Sequence, residues 1–168
     1  MDIENTEMLY DKIRLVSALL FLLSFFPTCF AQSRHTLVDY QFIGELNTNL
    51  AAQSVKNIPA LNTLVMKHDL GLYKIHYYTQ SPSGKSVVAS GLVAFPLNMT
   101  EPTAIVNYYH GTRINRDDVP TRSVDKYYPY LATFGSSGGY MVVMPDYLGL
   151  GDNDLPVHPY VQDTSLAS

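Results

Sequence analysis

The sequence predicts an α/β fold on a mixed, mostly parallel sheet, and three observations predict it. Two runs rich in Tyr, Val and Ile, residues 70–80 and 86–95, flank the turn-forming Ser81-Pro82-Ser83-Gly84 and read as an antiparallel hairpin. Two short apolar runs follow, TAIVNYY at 103–109 and YMVVM at 140–144. Neither alternates, which is the pattern of strands buried on both faces. Between them, residues 123–134 carry Val124, Tyr127, Tyr128 and Leu131 on one helical stripe, disturbed by Pro129. An antiparallel start followed by strand, helix and strand gives a mixed, mostly parallel sheet with helices on both faces.

The remaining elements are read in order. Residues 32–46 show no clean period and are expected to wrap the outside of the domain. NTNLAAQSVK at 47–56 reads as a short helix with an Asn or Thr start, stopped before Pro59. The Gly- and Ser-rich residues 135–139 end the second helix. Pro145-Asp146 closes the strand at 140–144, and Gly149 and Gly151 sit in the loop beyond. Asp163 or Thr164 could cap a further helix starting at Ser165-Leu166-Ala167.

Composition bounds the function. The chain has 168 residues, 46% of them apolar, enough for one domain with a core. Charged residues make up only 15%, against a disordered chain. Eleven basic against 15 acidic residues leave a net charge of −4, and no basic run exists, so a nucleic-acid partner held by charge is not expected. The single Cys excludes an internal disulfide framework and a Cys-rich zinc site.

LVSALLFLLSFF at 15–26 would be about 18 Å long as a helix, too short to span a bilayer comfortably. Lys12 and Arg14 precede it, Pro27 breaks it, and Cys29-Phe30-Ala31 places small residues at −3 and −1 of a cleavage site. Residues 1–31 therefore read as a secretory signal peptide, with residues 32–168 as the mature portion. The acidic start (Asp2, Glu4, Glu7) is removed if translation begins at Met8. Secretion or a periplasmic location is expected, and an uncleaved membrane anchor is the alternative. A lipoprotein at Cys29 fits poorly after Phe26-Pro27-Thr28.

Ligands of open α/β sheets bind at the carboxyl ends of the strands. Two such ends carry unusual residues. The first is Tyr109-His110-Gly111-Thr112, where Gly111 permits a sharp turn and brings backbone donors toward a ligand, as an oxyanion hole requires. The alternative is a strand ending in a tight turn with His110 bonded locally. The second is Asp146-Tyr147-Leu148-Gly149-Leu150-Gly151, a carboxylate and two glycines able to organise a loop. A loop-capping Asp is the alternative there.

Other motifs carry less. Gly135-Ser136-Ser137-Gly138-Gly139 has the letters of G-x-S-x-G, but a nucleophile elbow needs a strand before the Ser and a helix after it. Here the order is reversed, so Ser137 is not expected to be a nucleophile. Asp152-Asn153-Asp154 opens like a calcium loop but has Val157 where the pattern needs Gly. His68 and His76 have no ligand-spaced partner, and His158 reads as a packing residue. No metal site is expected. Asn98-Met99-Thr100 is a formal glycosylation sequon.

YYHGT, then GYMVVMPDYLGLG some thirty residues on, then HPY, resembles secreted α/β-hydrolases of the secretory-lipase, lipase-A-like type, over residues 70–168. The resemblance implies the N-terminal half of an α/β-hydrolase fold, with an antiparallel hairpin leading into a mostly parallel, incomplete sheet. It implies hydrolysis of carboxylic esters, such as acyl glycerols, by a Ser-His-Asp triad through an acyl-enzyme with no cofactor. Small-molecule or lipid esters are the implied partners, with transient contact to a lipid interface. His110, Gly111 and Thr112 fall beside the implied oxyanion hole, Asp146 on a strand-end Asp that helps to form it, and Gly149 and Gly151 on the turn beyond. The triad is expected after Ser168, reached through the helix starting at Ser165, so no catalytic residue is assigned within the chain. The strand at 140–144 is then expected to be an open sheet edge, and the chain alone poorly soluble. A peptidase or polysaccharide-ester esterase of the same fold is one alternative. A short non-catalytic binding protein using its 13 Tyr is another.

Overall fold

The computed structural model describes residues 37–81, 83–153 and 155–156. The signal peptide expected at 1–31, His158 and the helix expected at Ser165 lie outside the described residues. No helix among those described is long and apolar enough to cross a membrane.

Five strands form one mixed sheet in the order β1-β2-β3-β5-β4. They are β1 (Leu37–Leu46), β2 (Leu70–Gln80), β3 (Ser86–Pro96), β4 (Ile105–Asn107) and β5 (Met141–Pro145). The expected hairpin is β2 and β3, in continuous register from Leu70↔Pro96 to Gln80↔Ser86. β5 pairs antiparallel with β3 and parallel with β4. Of the four pairings, the β4–β5 pair alone is parallel among the described strands. Antiparallel pairs lead because the front of the chain, β1 to β3, is a meander of sequential neighbours.

Three expectations are corrected. Residues 37–46 do not wrap the outside but form β1, paired antiparallel to β2. Val38, Tyr40 and Phe42 alternate with Asp39 and Gln41, but Ile43-Gly44 breaks the alternation after five residues, and both Tyr40 and Phe42 are exposed. A bulge follows Phe42, where Gly44 adopts φ 152°. The run 103–109 is not a fully buried strand. Its three-residue core, β4, has Ile105 and Asn107 exposed. The sheet edge opposite β1 is β4 and not the strand at 140–144, because β5 inserts between β3 and β4.

Among the described residues helices cover one face of the sheet, and not both as the sequence predicts. α1 (Thr48–Val55) is capped by Asn47, whose side chain accepts from Leu50 N at 2.9 Å. Its first turn is tied to the sheet by Thr48 N donating to Asp69 Oδ1 at 2.7 Å. The second helical segment begins as a 3₁₀ turn at Val124–Tyr127 and continues as α2 (Tyr128–Leu131) with Pro129 in its first turn. There the missing N–H costs nothing, so Pro129 shapes the start and does not break the helix. A wider turn, Ala132–Ser137, ends it, and Gly139 at φ 70° reverses the chain into β5. Ala51, Val55 and Leu131 from the helices meet Leu72, Leu92 and Val142 from the sheet in one core. At about 2 kcal/mol per buried Leu or Val, this face dominates the stability of the domain.

Candidate active site

The carboxyl ends of β4 and β5 lie side by side, since the two strands are parallel. Asp146 follows β5 directly and is completely buried. Its carboxylate accepts from Ser90 Oγ of β3 at 2.6 Å, from Thr121 N at 3.0 Å, and from the Thr121 hydroxyl. Its own N–H donates to Ser90 O at 3.0 Å. Burial is the largest influence and raises the Asp146 pKa, against the Ser90 and Thr121 hydrogen bonds, which lower it. Asp146 is thus an internal brace whose N–H and both oxygens are committed to neighbouring elements.

The loop beyond is shaped around this brace. Gly149 and Gly151 adopt φ 81° and 59°, in the left-handed region that favours glycine. A β-carbon on Gly151 would lie 2.5 Å from Ser90 Oγ and 2.9 Å from the Asp146 β-carbon. Arg116 clasps the loop from outside. Its guanidinium donates to the carbonyls of Gly151 at 3.5 Å, Leu155 at 2.6 Å and Asn153, while Gly151 N donates back to Arg116 O at 3.0 Å. Asn153 Nδ2 donates to Val88 O at 2.5 Å, and its Oδ1 accepts from Leu155 N at 2.8 Å.

Tyr147 joins this loop to the one after β4. It is buried with φ 70°, uncommon for a side chain of this size. Its hydroxyl donates to His110 O at 2.9 Å, and its ring lies 4.1 Å from the His110 imidazole. Burial first, then Tyr109 and Tyr127, push the Tyr147 pKa up to about 12, so the hydroxyl remains a donor. His110 is itself buried, with Nδ1 2.7 Å from Gly111 O and Nε2 3.4 Å from Asp146 O. The closer contact fixes Nδ1–H as a donor to Gly111 O.

The structure thus brings His110, Asp146, Gly149 and Gly151 together at the ends of β4 and β5, with His110 turned inward onto its own loop. Gly111 and Thr112 are exposed next to it. Gly111 has no left-handed φ, and a β-carbon there would meet open space, so the expected sharp turn does not depend on it. No described hydrogen bond engages the N–H of Gly111 or Thr112. Tyr109, ahead of this loop, lines an apolar hollow of about 190 Å³ with Ile75, Tyr77, Val143 and Pro145. Ser137 lies in the last helical turn, at the far end of β5 from Asp146. No group of three or more potential metal ligands occurs among the described residues.

Sequence reasoning missed Ser90, Thr121, Arg116 and Tyr147. Ser90 carried a signal, as the one hydroxyl within VVASGLVAF. Thr121 and Arg116 carried none, since their roles arise from contacts 25 and 35 or more positions away.

Several solved structures are similar to this chain. A Legionella pneumophila protein assigned as a hydrolase matches at 54% identity with a TM-score of 0.74, covering 79% of this chain and 36% of its own. The rice cell wall degrading esterase LipA from Xanthomonas oryzae matches at 26% identity with a TM-score of 0.65, covering 79% and 34%. A ligand-bound form of that esterase matches with a TM-score of 0.64. The fold is the front part of an α/β-hydrolase. The chain spans about a third of the length of these structures. No protein-family model matches the sequence, and no curated protein does.

Proposed function

We propose that the chain is the front portion of a secreted serine hydrolase of carboxylic esters. The observation that carries this reading is the brace at the ends of β4 and β5, where Asp146 and Tyr147 hold the His110-Gly111-Thr112 loop, Gly111 and Thr112 are exposed with no described partner for their N–H groups, and the preceding Tyr109 lines an apolar hollow. Exposed amides at strand ends can stabilise the oxyanion of acyl transfer, and an apolar hollow suits an acyl chain. On this reading Gly111 and Thr112 supply the oxyanion-side surface and Asp146 holds it in place. The nucleophile, acid and base are supplied by sequence other than these 168 residues, through an acyl-enzyme that needs no cofactor. Acyl glycerols or related small esters are the substrates, met at a lipid interface, and residues 1–31 export the protein.

A second reading, esters of a plant cell wall, is favoured by the likeness to the Xanthomonas oryzae esterase. The two readings separate when the protein of the whole reading frame is given tributyrin and acetylated xylan side by side. Faster release of butyrate supports the first, and faster release of acetate the second. Export is tested by the N-terminus of the mature protein, expected at Gln32; a retained Met1 or Met8 contradicts it.

A further inference from the structure

The charged residues on the other flank of the Gly149–Asn153 loop form a group that the ester-hydrolase reading does not use. His76, on β2, lies between two carboxylates. Its Nδ1 is 2.6 Å from Asp39 Oδ1 of β1, and its Nε2 is 3.2 Å from Asp152 Oδ2 of the loop. Asp152 also accepts from Lys74 Nζ of β2 at 2.8 Å and from the Arg122 guanidinium, and its N–H donates to Ser90 Oγ at 3.0 Å. That Ser90 hydroxyl is the one that donates to Asp146. His76 and Asp152 are both about three-quarters buried by side chain, at 23% and 22% exposed.

A neutral imidazole has one N–H and one lone pair. Between two carboxylates it can donate to one and must turn its lone pair on the other. The doubly protonated ring donates to both. The arrangement is therefore complete only with a proton on each nitrogen. We propose that His76, in its imidazolium form, is a proton-dependent staple that ties the edge strand β1 to the loop braced by Asp146, and that it releases β1 as the pH rises.

The groups facing the imidazole are Asp39 from β1, Lys74 from its own strand, and Asp152 with Arg122 from the loops; Asp146 lies one hydroxyl further, through Ser90. Burial lowers the His76 pKa and is the largest single influence, but the hydrogen bonds and charges of Asp39 and Asp152 outweigh it, leaving the pKa above 6.5. A base whose folded pKa is raised contributes stability that is fully present below its unfolded pKa and lost as the pH rises through the folded one. β1 is the element that responds. Leu46 anchors its last residue in the core, and Tyr40 and Phe42 meet Tyr73 of β2 edge-on, but from Leu37 to Phe42 its side chains are exposed, so this stretch is held by backbone pairing, those ring contacts and the staple.

The test is an NMR titration of the His76 ring in the whole chain, together with amide-exchange protection of β1 at about pH 5.5 and about pH 8.5, expressed against intrinsic exchange rates. The ring midpoint is expected above 6.5 and to fall in Asp39→Asn. β1 protection is expected to drop at least about threefold across that range in the wild type. It should stay flat in His76→Gln, with β2–β3 amides unaffected in both. A midpoint at or below 6.5, an equal drop in His76→Gln, or no protected β1 amide at about pH 5.5 overturns the proposal.

Discussion

Gly151 lies against the Asp146 carboxylate so closely that no β-carbon fits between them. The contact explains why a glycine follows the strand-end Asp at this spacing: the loop must turn with φ 59° and approach the brace at once. Gly151→Ala therefore carries both a left-handed strain and a clash with Ser90 and Asp146. The expected loss is about 3 kcal/mol of unfolding free energy, combining about 1 for the backbone and about 2 for overpacking. Chemical denaturation checks it, and a loss under about 1 kcal/mol would show that the loop can move away.

Asp146 gives a second expectation. Asp146→Ala leaves the Thr121 N–H and the Ser90 and Thr121 hydroxyls without their acceptor in a dry interior, at a cost of about 3 kcal/mol. Asp146→Asn keeps an oxygen for Thr121 N and costs about 1 kcal/mol.

The pH dependence of that brace has a definite sign. The folded-state pKa is raised, so the folded protein holds the Asp146 proton more tightly than the unfolded chain does. Its contribution is fully present below the ordinary carboxylate value of 3.8 and declines as the pH rises through the folded pKa. The stability difference between wild type and Asp146→Asn should therefore shrink or reverse with rising pH. A difference that grows with pH contradicts the account. The subtraction is needed because Asp118 and Asp152 have lowered pKa values and lose stability in the opposite direction, as the pH falls.

Much of this site was legible in the sequence, and the rest had physical reasons for being hidden. Asn47 as a helix start, the β2–β3 hairpin and the loop of Asp146, Gly149 and Gly151 each rest on local chemistry: a side-chain cap, a turn, a backbone angle. β1 was hard to see because its alternation, Val38, Tyr40 and Phe42 against Asp39 and Gln41, is short and is broken at Ile43-Gly44, where the strand bulges. The sheet order was hidden because nothing local states that β5 slots between β3 and β4. Ser90 and Asp146 are 56 positions apart, and Asp39 and His76 are 37 apart. His76 has no ligand-spaced neighbour in sequence, yet the β1–β2 register sets Asp39 directly opposite it.

The corrected edge changes the solubility prediction. Ile105 of β4 is 59% exposed on the outermost described strand. An unpaired apolar edge templates association. Ile105→Lys is expected to raise the soluble fraction of the chain several-fold in a sedimentation assay. Val142→Lys, at a fully buried position of β5, should abolish folding. Equal behaviour of the wild type and Ile105→Lys would show that association does not run through this edge.

The central claim is an ester hydrolase whose chemistry is completed outside these 168 residues. Labelling with a fluorophosphonate, followed by mapping of the adduct, tests it most directly. The protein of the whole reading frame is predicted to hydrolyse p-nitrophenyl butyrate and to carry the adduct on a serine beyond Ser168, while the 168-residue chain does neither. An adduct on Ser137, with hydrolysis lost in Ser137→Ala, or a reading frame that stops at Ser168, would contradict it.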